Sequence, residues 1–478
     1  VGHNAGQQVT TGIQNTIVGG LAGDALTDAD MNVAVGYAAL SVDTKGSEST
    51  AIGRGALANQ NFTTSTDSHN TAVGHSAGQQ MTTGIQNVLL GSNAGLQLTD
   101  ADQNVAIGHA ALTSDTLGSK SIAIGREALV TQNFTTATDV YNVAVGHNAG
   151  QAVTTGKENT LIGGLAGDAL TTGSNNVAVG FEALSTEDAH GNNVAIGNRA
   201  LKTLNAGAAG LNVAVGDDAG LSMTTGVRNT LIGALTGDAL TSGNNNTALG
   251  FNALAADTLG DRAVAIGVDA LAAQNFTTTT DNYNIAIGFQ AGASVTTAVQ
   301  NVLIGGLAGD ALTDADYNVA VGDQALTSDT LGSRSVAIGQ AALFAQNFTT
   351  ATDAYNVAMG YAAGGAVTTG VKNTLIGGLA ADSLTTGERN VYVGYTSGDR
   401  GTTGDFNTGV GAETLFTNVA ANKNTAVGEA ALFSMTAATS TDTLNTGVGY
   451  FAGGSITSGI RNTLLGGEAG DALTDADD

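Results

Sequence analysis

Cysteine, proline and tryptophan are all missing from this 478-residue chain, and aromatic residues make up only 4% of it. Without cysteine there are no disulfides, thiolate metal sites or cysteine nucleophiles, and the redox compartment leaves no trace. Without proline or a Gly-X-Y period, the 69 glycines do not spell collagen. Basic residues are scarce: 15 Lys and Arg against 41 Asp and Glu leave a net charge of −26. That sign argues against nucleic acid and anionic membrane surfaces as partners. No apolar run approaches the ~18 to 20 residues of a membrane helix, so no membrane insertion is expected in this segment, and nothing at the start resembles a signal peptide. Val1 falls inside a repeat, so the chain reads as a piece of something longer.

What is present is repetition. A pentad ending in glycine recurs from Asn15–Gly19 and Asn32–Gly36 through Asn104–Gly108 to Asn462–Gly466, and with Gly2 it marks 27 coils. Successive motif glycines are 17 residues apart, except for 21 after Gly53, Gly125, Gly267, Gly339 and Gly428, and 19 after Gly197. Four coils make a super-repeat of 72 residues. The groups fall near 2–73, 74–145, 146–215, 216–287, 288–359, 360–448 and a partial 449–478, within a single continuous solenoid.

Seventeen residues are too few for paired helices and suit one β-solenoid coil of two short strands and two turns. The positions one and three before the glycine carry Val, Ile, Leu, Met or Thr and share one face. The residue between them is usually Ala, as at Ala34 and Ala106, but Leu or Ile in the second coil of each group, as at Ile17, Leu89 and Leu161. A second turn is written Thr-Thr-Gly, as at Thr10–Gly12. Asn stands four places before the glycine in 22 of 26 coils; Ser49, Ser121, Ala263 and Ser335 are the exceptions. Those Asn side chains either form a ladder from coil to coil or simply tolerate a turn. Coils stacked at the inter-strand spacing give a rod on the order of 130 Å. The last residues repeat the pattern of Gly23–Asp30, so the repeat is expected to continue beyond the segment.

The pattern Asn-Val-Ala-Ile-Gly-x-x-Ala, as at Asn104–Ala111 and Asn193–Ala200, resembles the head repeats of trimeric autotransporter adhesins, the YadA-type left-handed parallel β-roll. Similar repeats occur in phage tail-fibre proteins. The resemblance implies an all-β left-handed parallel β-roll that assembles as a homotrimer, with the middle Ala at the threefold seam and the flanking Val and Ile inside the coil. A monomeric solenoid or a filament of stacked chains stays open. The implied role is a rigid extracellular fibre or adhesin at the cell surface or on a virion, touching a host glycan or protein, rather than an enzyme.

Four places are candidates for chemistry. His3, His75 and His147 each follow a motif glycine, four coils apart; that is too far for one metal within a chain, but three copies could meet on a trimer axis. Only two acidic pairs lie 17 apart, Asp382 with Asp399 and Glu388 with Asp405, either a cation or carboxylate cluster of a tailspike-type polysaccharide hydrolase or a salt-bridged face with Arg389 and Arg400. Elsewhere opposite charges fall at that interval, Asp28 with Lys45 and Glu182 with Arg199. The turns Asp24/Asp28/Asp30 and Asp310/Asp314/Asp316 allow weak Ca²⁺ binding without the frame of a calcium β-roll. Four of the five 21-residue coils carry a Gln-Asn-Phe-Thr-Thr loop whose Phe62, Phe134, Phe276 and Phe348 form either a contact row or a cover for the widened coil. An ice- or mineral-binding surface would need a flatter threonine array than these turns offer. No phosphate loop, Ser-His-Asp set or zinc signature appears, and no cofactor is expected.

Overall fold

In the computed structural model, residues 1–437 and 439–478 are described. They divide into two units, Val1–Ser242 and Gly243–Asp478. Each is an all-β parallel β-solenoid carrying thirteen of the 26 motif strands, and no helix occurs among the described residues. No helix is therefore long and apolar enough to cross a membrane. The coil at Gly2 contributes no strand, which separates the 27 glycines from the 26 strands.

Each motif strand has three residues and pairs in parallel with the same three residues of the next coil. Thus Val88↔Val105, Leu89↔Ala106 and Leu90↔Ile107 stand one above another. Most coils have this one strand rather than the two expected. Among the described residues, a second, two-residue strand forms only beside the 21-residue coils, as where Gly46–Ser47 pairs with Thr66–Asp67 and Gly332–Ser333 with Thr352–Asp353. The remaining corners are turns built on residues with positive φ, among them Met31, Ala38 and Leu40. The motif glycine is required by crowding: at Gly36 φ is 137°, and a Cβ there would sit 2.4 Å from the Gly53 carbonyl oxygen.

The Asn ladder is formed. Asn87 Oδ1 accepts the Asn104 backbone N–H at 2.9 Å, and Asn87 Nδ2 donates to the Ala101 carbonyl at 2.8 Å. Each side chain thereby satisfies a buried donor of the next coil and a turn carbonyl. The Thr-Thr-Gly turn works similarly: the Thr10, Thr11 and Gly12 N–H groups all point at the Thr27 carbonyl.

The apolar part of the interior is mostly Ala and Leu, and the buried polar part is chiefly the Asn ladder. Its volume is shared between two positions, the middle of the strand and the fourth residue after the glycine. Where the strand carries Leu89, Gly78 and Gly95 lie at the second position, and a Cβ on either would come within 2.6 or 2.8 Å of that leucine. Where the strand carries Ala106 or Ala123, Leu112 or Leu129 fills the second position. This exchange gives the 72-residue super-repeat its physical basis, because close packing leaves no room for both side chains to be large.

Candidate functional site

The strand faces are the reverse of what the resemblance implied. Along Val105–Ile107 the side chains run half-exposed, buried, half-exposed, and Ala34, Ala106 and Ala178 have no exposure at all. The middle Ala is coil interior, not a seam. The strand turns one side chain inward, Ala or a larger residue such as Ile17 or Leu89, and its two flanking residues, mostly Val, Ile or Thr, face out. Each unit therefore presents an outward apolar row, with Val18 at 44% and Leu90 at 45% exposed in the first, and Leu249 at 44% and Met359 at 40% in the second.

The insertion loops turn their aromatic rings inward. Phe62, Phe134, Phe276 and Phe348 are only 5–7% exposed, so of the two expected arrangements the rings take the cover of the widened coil. A buried carboxylate in the preceding coil draws them in. Asp43 Oδ1 accepts the Gly46 and Phe62 backbone N–H groups, each at 3.0 Å, and Asp43 Oδ2 accepts Gln60 Nε2 at 2.7 Å. Gln60 Oε1 in turn accepts Asn70 Nδ2. The same clasp recurs at Asp115 with Gln132, Asp257 with Gln274 and Asp329 with Gln346. Burial pushes the Asp257 carboxyl up while its hydrogen-bond donors pull it down. What the loops expose is hydroxyl-bearing: Thr63, Thr64 and Ser65. The clasp escaped the sequence reading, although its signal is there: Gln follows Asp by 17 residues in all four copies.

Two coils use other chemistry in the same place. Glu187 replaces the Asp and accepts the His190 and Ala206 N–H groups. Leu204 stands where Gln would be, and His190 Nδ1 fills in at 3.1 Å from Glu187 Oε1. With Asp188 these form the one set of three potential metal ligands among the described residues. Asn418 is the second substitute, its Oδ1 accepting the Ala421 N–H.

The four carboxylates singled out by spacing fall in two separate columns. Asp382 and Asp399 occupy the fifth place after their glycines, and Glu388 and Asp405 the eleventh. Burial raises the Asp382 carboxyl, and burial followed by the Asp382 charge raises that of Asp399. Asp382 lines a shallow groove of about 540 Å³ together with Phe344, Ala345 and Ala362. Asp405 is engaged elsewhere, its Oδ1 accepting the Glu388 backbone N–H at 2.8 Å, while Glu388 lies 3.7 Å from Arg389. Arg400 lies over the Phe416 ring.

His3, His75 and His147 are exposed turn residues, and His75 Nε2 lies 3.0 Å from Arg54 Nη1. In the Asp-rich turns the carboxylates tie coils together. Asp28 takes the Thr11 hydroxyl, Asp30 the Ile13 N–H, Asp314 the Thr297 hydroxyl and Asp316 the Val299 N–H. Charge pairing also differs from the 17-residue expectation: Glu182 reaches Lys202 at 2.6 Å, and Arg199 reaches Asp218 across the 19-residue coil. No family model and no curated protein matches this chain, and its description rests on the coils themselves: an all-β parallel β-solenoid repeat protein.

Proposed function

We propose that the protein is a rigid structural fibre of the cell surface or virion, an adhesin-like spacer without enzymatic activity that works as a homotrimer or as a bundle of its own copies. The observation carrying this reading is the outward Val and Ile row. An apolar stripe of that extent on a soluble, highly acidic chain is the mark of an interaction surface, and a surface repeated in every coil is matched in length only by another repeat, most simply a second copy. In such an assembly the threefold contact runs along the outward faces of the strands, not along the Ala column. The resemblance to trimeric adhesin heads and tail fibres points the same way, as does the left-handed coil it implies.

Sedimentation of the intact chain tests the proposal. A trimer or higher assembly is expected, and replacing Val105, Ile107, Ile122 and Ile124 with Glu should release monomers that keep their β-sheet spectrum. A chain that is monomeric at high concentration would overturn it. Immuno-electron microscopy of cells and particles then locates the fibre. The tailspike-type hydrolase reading has less behind it, because Asp382 and Asp399 stand in a different column from Glu388 and Asp405. Weak Ca²⁺ binding at the Asp-rich turns, checked by calorimetry, is compatible with the fibre but is not needed for it.

A further inference from the structure

The residue immediately after each motif glycine forms a column of its own. In the first unit the His3 carbonyl accepts the Leu21 N–H, the Gly20 carbonyl that of Ala38, the Tyr37 carbonyl that of Gly55, and so on to Phe181 with Arg199, all at 2.8–3.0 Å. These positions are therefore stacked coil on coil. Their side chains alternate. His3, Tyr37, His75, His109, His147 and Phe181 occupy every second coil, and all six are exposed. Between them stand Gly20, Arg54, Ser92, Arg126 and Gly164.

Isolated exposed rings need no explanation. Six flat rings in regular alternation, four of them from the chain's six histidines, do. Tyr37 and Phe181 remain 56% and 53% exposed, and they lean over the small residue beside them: a Cβ on Gly20 would lie 3.6 Å from Tyr37 Cδ2, and one on Gly164 3.5 Å from Phe181 Cδ2. At Gly20 and Gly164 the ring thus lies low over its neighbour, and along the strip the rings stand about two coils apart, on the order of 10 Å, with Arg54 and Arg126 exposed between them. Beside Tyr37 a recess of about 100 Å³ brings Arg54, Ser76 and Gln79 together.

Aromatic faces carry negative charge density and attract the polarised C–H face of a pyranose, while Arg, Ser and Gln side chains serve hydroxyl groups. A flat-ribbon β-linked glycan presents the same sugar face again after each disaccharide, at about the height of two coils. We propose that the His3–Phe181 row is a binding track for such a glycan, one disaccharide for each pair of coils. The track rests on the reading of the protein as a surface-attaching fibre for its setting, but the two stand or fall by different measurements.

The test is calorimetric titration of the intact chain with cellohexaose and chitohexaose, with dextran as a compact α-linked control. A variant carrying Tyr37→Ala, His109→Ala and Phe181→Ala is titrated alongside, and its fold is checked by thermal melting. The same column tolerates Ala at Ala234 and Gly at Gly20, so this variant should fold. Binding of a ribbon oligosaccharide, none of dextran, and a loss of about tenfold or more in the variant are expected. The track is overturned if neither ribbon sugar binds, if dextran binds equally, or if the folded variant binds as well as the parent. Failure of the fibre to attach to cells or particles, with glycan binding intact, would instead sink the adhesive reading and leave the track standing.

Discussion

Asp43 and Gln60, one coil apart, meet side chain to side chain at 2.7 Å, and neither has any solvent exposure. A carboxylate without a cation is held there by three donors, and those donors hold the insertion loop. Removing the acceptor leaves buried N–H groups unpaired, which costs about 1–3 kcal/mol for each such group. Asp43→Ala should therefore open the loop, seen as fast hydrogen exchange at the Gly46 and Phe62 amides. Asp43→Asn should be milder, since Asn418 fills the equivalent place with its own side-chain amide. Unchanged exchange in Asp43→Ala would mean the clasp does not hold the loop.

Leucine and glycine in neighbouring coils should show strong coupling. Gly150 has φ 59°, and a Cβ there would stand 2.7 Å from Leu161 Cδ1. Gly150→Ala overpacks the coil at a cost of about 1–3 kcal/mol, and Leu161→Ala leaves a cavity costing about 2–5 kcal/mol. The double variant should be less destabilised than the sum of the two, with a coupling of about 1 kcal/mol in denaturant unfolding. Simple additivity would contradict the shared interior volume.

The acid pair should weaken the fold as pH rises. Asp382 and Asp399 both hold their protons more tightly in the fold than in the unfolded chain, through burial and, for Asp399, its neighbour's charge. A raised carboxyl contributes its stability in full below the ordinary carboxylate range, ~3.9, and loses it as pH climbs through the raised folded value. Asp399→Asn should accordingly raise the melting temperature at neutral pH and leave it nearly unchanged in strong acid. An equal shift at both pH values would show that ionisation of the half-buried carboxyl is not the cause.

The period of the fold was legible because one glycine per coil must pass under the carbonyl of the next, and no other residue fits at Gly36 or Gly108. The direction of the faces was not. Alternation over three residues separates Val105 and Ile107 from Ala106 but does not say which side is inside. Phe62 was legible as part of an insertion and as either a contact or a cover, but not which, because that depends on Asp43 in the preceding coil. The stacking of Asp382 with Asp399 followed from the period alone, whereas the separation of Glu388 and Asp405 from them depends on where in the coil each lies. The Asn ladder was half visible: its regularity could be read, while the reach of Asn87 to the Asn104 N–H and the Ala101 carbonyl required the turn geometry.

The exchange of leucine for glycine also sets how such a chain can change length. The first two coils of a group are joined by one leucine spanning two glycines, as Leu89 spans Gly78 and Gly95, and the last two by a carboxylate reaching one coil onward, as Asp43 reaches Gln60. Losing either member strands the other, so coils are gained or lost in couples. The group from Gly360 to Gly449 holds an odd coil, and there the interior contains Tyr392, accommodated by Gly398 and Gly409, where a Cβ would stand 2.6 Å and 3.0 Å from its ring. A lone coil, in this architecture, has to arrive with its own filler and its own gap.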